Sequence, residues 1–205
     1  GTFHVPFTLI KNAAKARGFS VNDVFVAAAL RGAASYHTRH GAQAHELRVN
    51  VPISLRGDAG DRSAQNSNAV AIARFEMPVH GLPLEQLMQE AHDQVDRWRS
   101  APAARMSDPL ADISWFVPVP VIAHAASASD VTTSNVPGPP ISVYLAGARM
   151  THVFPLVATI GAAVNITMVT YDGTACIGVS SDDRCVPDVS NLLGDLTEAF
   201  ADVLG

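Results

Sequence analysis

Lysine is nearly missing from this chain. Lys11 and Lys15 are the only two among 14 basic residues, and the rest are arginine. Against them stand 19 acidic residues, for a formal net charge of −5. No basic stripe exists to follow a phosphate backbone, which argues against a nucleic-acid binder. Cysteine is equally scarce. Cys176 and Cys185 are too few for a secreted disulfide framework and read as free thiols of a reducing, cytoplasmic compartment. Aromatic residues make up 6%, so alanine and the aliphatic residues carry most of the 48% apolar content. That content, with 16% charged residues, excludes disorder. No apolar run approaches the roughly 20 residues of a membrane span. The nearest, Trp115 to Ala128, is interrupted by Pro118, Pro120 and His124. No signal-peptide pattern is visible, and the first residue is Gly1 rather than Met, as in a fragment or processed product.

What is present patterns into helices and strands. Residues 9–17 predict a short helix stopped by Gly18. Ser20 or Asn22 can cap a longer one, to about His40, with Val21, Val24, Phe25 and Ala28 facing a core. Leu47, Val49, Val51 and Ile53 alternate along a strand from Glu46 to Ser54, and Asn68 to Met77 is a second candidate. Pro83 opens an amphipathic helix to Arg99, in which Leu84, Leu87, Met88, Ala91, Val95 and Trp98 recur at helical spacing. Residues 101–109 read as a linker, and 110–128 carry weak helix signals around Val-Pro-Val-Pro. Val131 to Thr133 predicts a short strand entering a turn at Pro137-Gly138-Pro139-Pro140. Ser142 to Phe154 and Ala163 to Thr170 read as extended. Asp172-Gly173 predicts a type I′ hairpin into Thr174 to Ser180, because both central residues need positive φ. Asp188 is placed to cap a last helix that buries Leu192, Leu196, Phe200 and Val203. This order predicts an α/β (α+β) chain, a mixed sheet with packed helices, as a single domain over residues 1–205.

No Gly-x-Ser-x-Gly elbow and no phosphate-binding glycine loop occurs. His37, His40 and His45 lie close in sequence, but nothing completes a zinc site around them. His92 and Asp96 form a His-x-x-x-Asp pattern, inside which the histidine of an acyltransferase would act as general base. The same spacing arises on any helix carrying the two residues four apart, and here it falls within an amphipathic helix. Four other segments hold polar residues in apolar or stiff surroundings. Ser134-Asn135-Val136-Pro137-Gly138-Pro139 is either a structural turn or part of a site. Asn165 interrupts an apolar strand, so its amide ties two segments together or faces a site. Asn22-Asp23 is most simply a helix cap. Ser54 and Arg56 end a strand, where Arg56 can bind an anion or pair with Asp58.

Taken in order, these segments resemble the C-terminal half of the bacterial wax ester synthase/diacylglycerol acyltransferase family. Val21-Asn22-Asp23-Val24 resembles its Asn-Asp motif, and Val51-Pro52-Ile53-Ser54-Leu55-Arg56 its Val-Pro-x-Ser-x-Arg strand. Ser134 to Pro139 matches Ser-Asn-Val-Pro-Gly-Pro, followed by Tyr144-Leu145-Ala146-Gly147-Ala148. Asn165-Ile166-Thr167, Tyr171-Asp172-Gly173, Asp183-Arg184 and Val186-Pro187-Asp188 complete the series. Asn66 and Asn68 stand where the family usually has Gly-Asn-Arg.

The resemblance implies one lobe of a two-lobed fold like chloramphenicol acetyltransferase and the peptide-synthetase condensation domains. Its active site lies in a tunnel between lobes. It implies transfer of an acyl group from acyl-CoA, a substrate rather than a bound cofactor, to diacylglycerol or a long-chain alcohol. The catalytic His-His-x-x-x-Asp-Gly belongs to the other, N-terminal lobe, joined in cis or as a cleaved chain. That motif is absent here, and His92 lacks its neighbours. The resemblance leaves this chain the tunnel wall, inactive alone. Asn22, Asp23, Ser54, Arg56, Ser134, Asn135, Pro137, Gly138 and Asn165 are the substrate-contacting candidates, with Arg56 toward the CoA phosphates. Lipid substrates imply contact with a membrane or lipid droplet, for which Trp115, Phe116 and Val117 are candidates. The alternative is a stand-alone lipid-binding or interaction module that kept the fold without catalysis.

Overall fold

The computed structural model describes residues 1–54, 70–100, 129–159 and 161–205. Strand β1 (Thr2–Pro6) runs directly into helix α1 (Phe7–Arg17), and α2 (Val21–Arg39) follows. Then come β2 (Glu46–Ser54), β3 (Val70–Pro78) and α3 (Leu84–Ser100). The C-terminal part holds β4 (Ser129–Pro137), the two-residue strands β5 (Tyr144–Leu145) and β6 (Ala148–Arg149), β7 (Ala162–Tyr171), β8 (Thr174–Ser181) and α4 (Val189–Leu204). Six strands form a mixed sheet in the order β1-β8-β7-β4-β2-β3, while β5 and β6 pair with each other. The central strand β4 is parallel to both neighbours, and the outer pairings are antiparallel.

One face of the sheet carries the core. Leu47, Val49, Val51 and Ile53 of β2 are buried there, with Ile166 and Met168 of β7 and Ile177 and Val179 of β8. Against them pack Val24 and Phe25 of α2, Leu87, Met88 and Ala91 of α3, and Leu192, Leu196 and Phe200 of α4. Helix α2 is buried from Val24 to Leu30 without interruption, as a helix apolar on all sides must be. Gly32 brings α2 close to α4, since a Cβ there would lie 2.8 Å from Leu196 Cα. Ser20 caps α2 through a reciprocal box, in which its hydroxyl accepts from the Asp23 N–H and its own N–H donates to Asp23.

Four expectations from sequence need correction. Strand β1 was not anticipated. It is a five-residue edge strand with no loop before α1, too short to show a period against the helix signal that follows. β4 is nine residues long rather than three, and Ser134, Asn135 and Val136 are strand residues instead of a turn. Polar residues on the outward side of β4 hide its alternation. Ser142 to Phe154 is not one extended strand. It holds the small β5–β6 hairpin, whose turn puts Ala146 and Gly147 at positive φ, and then an irregular strap. Asp188 precedes α4, but its carboxylate does not cap the helix. It accepts hydrogen bonds from the Tyr36 hydroxyl and from Asn191 Nδ2 instead. Burial, and then this carboxylate, push the Tyr36 phenol up to about 12. The Asp172-Gly173 hairpin forms as expected, with both residues at positive φ. The ambiguous stretch 110–128 lies outside the described residues.

Candidate functional site

The second face of the sheet turns away from the helices, and strand alternation decides what it displays. In β2 the residues between the buried aliphatics are Asn50 and Pro52. In β4 they are Thr132, Ser134 and Val136, and in β7 Asn165, Thr167 and Val169. Register aligns them into a row. Arg74 pairs with Asn50, Asn50 with Thr132, Thr132 with Asn165, and Asn165 with Ser180. Across this face runs the strap of residues 151–159. Gly178 admits it, because a Cβ there would sit 1.6 Å from the Pro155 carbonyl oxygen. His152 and Phe154 stack on each other beside His4 of β1, and Asn165 Nδ2 donates to the Ala158 carbonyl.

Strap and sheet enclose a groove of about 290 Å³. Its apolar lining is Pro52, Ile72, Val136, Pro155, Val157 and Val169, and its polar floor includes Asn50, Thr132, Ser134, Asn165 and Thr167. The floor is hydrogen-bonded within itself. Ser129 donates to Asn50 Oδ1 at 2.8 Å, and Thr167 donates to Asn165 Oδ1 at 2.7 Å. Two residues along from Asn50 and Thr132 on the same face, Arg48 grips Asp130 at 2.6 and 3.1 Å and adds its backbone N–H. Burial opposes ionisation of Asp130, but these bonds outweigh it and hold the carboxyl below the ordinary range. An apolar groove with a few fixed polar groups suits a long hydrocarbon ligand bearing isolated oxygens.

Residues 66–203 match the model of the WS/DGAT C-terminal domain. The chain belongs to this family. It is 27% identical over 198 residues to Rv2484c of Mycobacterium tuberculosis, a protein named for diacylglycerol O-acyltransferase activity, with 95% of this chain and 40% of that one aligned. Among solved structures, the wax ester synthase/diacylglycerol acyltransferase of Marinobacter aquaeolei VT8 superposes with a TM-score of 0.69 at 20% identity, over 99% of this chain and 47% of that one. The first condensation domain of the calcium-dependent antibiotic synthetase gives 0.56 at 15% identity, over 100% and 45%. The fold is therefore the chloramphenicol-acetyltransferase-like one that the motifs implied. The chain spans about 40% of the length of the curated relatives it matches.

Within this WS/DGAT domain the candidate residues separate. Ser134 and Asn165 line the groove. Asn135 follows Ser134 on the same strand, so alternation turns it to the helix side. Asn22 and Asp23 open α2 in the helix layer and are not among the groove's lining residues. Pro137 ends β4, and Gly138 continues close along β7, its N–H donating to Thr170 Oγ1 and its missing Cβ leaving room for the Thr170 carbonyl. The Ser54 side chain and Arg56 lie outside the described residues, as do Trp115, Phe116 and Val117. Sequence reading missed Asn50, Thr132 and Thr167. The signal existed for Asn50, which alternates with the aliphatic residues of β2 and so had to face the other side.

His92 is not in the groove. Its Nδ1 lies 3.0 Å from the buried Asp23 carboxylate and its Nε2 3.4 Å from Asp96. The hydrogen bond to the accepting Asp23 carboxylate holds its pKa above the ordinary histidine value, despite partial burial. The contact ties the start of α2 to the middle of α3. Among the described residues no group of three His, Cys, Asp or Glu side chains could hold a metal ion, and no helix is long and apolar enough to cross a membrane.

Proposed function

We propose that this chain is the C-terminal lobe of an acyl-CoA-dependent O-acyltransferase, and that its groove is one wall of the substrate tunnel. The observation that carries this reading is the apolar groove with a polar floor, on the sheet face opposite the helices, in a chain of WS/DGAT membership. In the intact enzyme a histidine of the N-terminal lobe takes the proton of the acceptor hydroxyl. The oxygen attacks the thioester carbon, a C–O bond forms, and the C–S bond breaks. The proton then passes to the departing CoA thiolate. General-base assistance of this kind is worth roughly 10²–10⁴-fold. This chain holds the lipid chain on Pro52, Val136 and Val169, and Ser134 offers its hydroxyl to substrate oxygen from the groove floor. Diacylglycerol and long-chain alcohols are the acceptors. The lobe alone is inactive, because the base is elsewhere.

The test compares three preparations with acyl-CoA and either dioctanoylglycerol or hexadecanol: the full-length gene product, the 205-residue chain, and that chain mixed with the separately expressed N-terminal part. Turnover is expected from the full-length protein and not from this chain alone. Val169→Trp, which fills the groove, should lower kcat/KM of the full-length enzyme by more than about tenfold. Turnover by the isolated chain, or indifference to the filled groove, would overturn the proposal.

A further inference from the structure

We propose that Asn50 and Asn165 decide which lipid the groove accepts, by presenting amide N–H donors to carbonyl oxygens carried part-way along an apolar ligand. This rests on the groove being a substrate wall. The two residues occupy one level of the sheet, on either side of Thr132. They are 6% and 4% exposed. Their oxygens are well satisfied, by Ser129 at 2.8 Å and Thr167 at 2.7 Å. Their nitrogens are not. Asn50 Nδ2 reaches Thr132 Oγ1 at 3.4 Å, and Asn165 Nδ2 reaches the Ala158 carbonyl at 3.4 Å. Each NH₂ group carries two donors. Among the described residues each therefore makes one long bond, and its second N–H has no protein acceptor. Water serves such donors in an empty groove. A ligand that expels the water must supply acceptors of its own, or the donors are left unpaired in apolar surroundings.

Carbonyl oxygens on a lipid tunnel have two sources: the ester groups of a glycerolipid and the amide groups of the pantetheine arm of acyl-CoA. The surroundings favour the ester. Register puts Pro52 and Ile72, and beyond them Val136 and Val169, on one side of the asparagine row, where Pro155 and Val157 of the strap also line the groove, while the Arg48–Asp130 pair stands on the other side. An acylglycerol has this layout, with hydrocarbon and a few ester carbonyls. A pantetheine arm is polar along its length and would meet the apolar walls of Pro52, Ile72, Val136 and Val169. A saturated long-chain alcohol brings no acceptor beyond its terminal hydroxyl, and sites built to hydrogen-bond a ligand discriminate strongly against analogues lacking the partner group.

The test is equilibrium binding to the full-length protein, by displacement of a fluorescent fatty-acyl probe. Dioctanoylglycerol is compared with dioctylglycerol, its ether analogue, which keeps the shape and the free hydroxyl but has no carbonyl. The ester is expected to bind about tenfold more tightly than the ether. Asn50→Leu and Asn165→Leu should each bring that ratio toward one, and should tighten rather than weaken hexadecanol binding, since no donor is then left unpaired. Equal binding of ester and ether to the unmodified protein would overturn the proposal, and this arm needs no variant that folds. An unchanged ester-to-ether ratio in the variants, with weakened acyl-CoA binding, would also overturn it, since the donors would then serve the pantetheine arm. The readout does not require turnover. Absent acyl transfer would count against the proposed function alone, and the binding ratio would still decide this inference.

Discussion

Asp23 is a buried carboxylate with two partners, the Ser20 N–H and the His92 ring. The first contact caps α2 and the second ties it to α3. Only the second changes with pH near neutrality. The folded state holds the His92 pKa above its ordinary value, first through the Asp23 hydrogen bond. A raised pKa means the charged form is favoured by folding. The stabilisation is therefore fully present below about pH 6.5 and is lost as pH rises through the higher folded-state value. The His92 side chain is 43% exposed, so solvent screens the pair. We expect His92→Ala to lose on the order of 1 kcal/mol at about pH 5.5 and clearly less at about pH 9, by urea unfolding. Equal losses at both pH values would mean that packing, not charge, is what the ring contributes. In the full-length enzyme the same variant should keep kcat/KM within about twofold, whereas a loss of 10² or more would make His92 a base after all.

At the scale of elements, two glycines set distances that no other residue permits. A Cβ at Gly32 would meet Leu196 at 2.7 Å from its Cδ2 and 2.8 Å from its Cα. Alanine at a helix-interior glycine normally gains about 1 kcal/mol in propensity. Here the clash is with backbone and cannot be relieved by a rotamer, so α2 and α4 must separate. Gly32→Ala should lower stability by roughly 1–3 kcal/mol, and a stabilised variant would show that the helices have slack. Gly178 does the same for the strap. Gly178→Ala should lift residues 151–159 from the sheet and speed tryptic cleavage after Arg149, at the strap's base, by about tenfold. An unchanged cleavage rate would mean the strap does not depend on this contact.

These elements also show what a sequence can display. β2, β7, α3 and α4 were legible because one side of each is apolar and the period appears, α2 through its cap and apolar run, and β8 through the Asp172-Gly173 turn that leads into it. β4 was legible only over Val131 to Thr133, since Asp130, Thr132 and Ser134 are polar on its groove side and Thr133 is polar even on its buried side. The groove was half legible for the same reason. Asn165 stands out in an apolar strand. Thr132 and Thr167 look like ordinary strand threonines until register places them beside it. The separation of Ser134 from Asn135 follows from strand alternation, which is invisible while the segment is read as a turn.

At the scale of the whole molecule, the sheet face opposite the helices carries no helix among the described residues. Around the groove Ile72 is 51% exposed, Val136 44% and Val157 39%. Exposed apolar residues are ordinary when scattered, but here they border one concavity. The chain aligns with 47% of the Marinobacter structure. On the proposed reading, the remaining part of such an enzyme covers this face, and the isolated chain meets water with it. A net charge of −5 spread over 205 residues gives little repulsion between copies. The 205-residue chain should therefore self-associate at tens of micromolar, by light scattering after size exclusion, and Val136→Asp with Val157→Asp should shift it toward monomer. The same pair of substitutions in the full-length protein should act in the opposite sense, weakening the union of the lobes and lowering its melting temperature. A monomeric isolated chain would leave this face without need of a cover. Lost association in the chain with an unchanged full-length protein would mean that copies of the chain meet at a surface the intact enzyme leaves open.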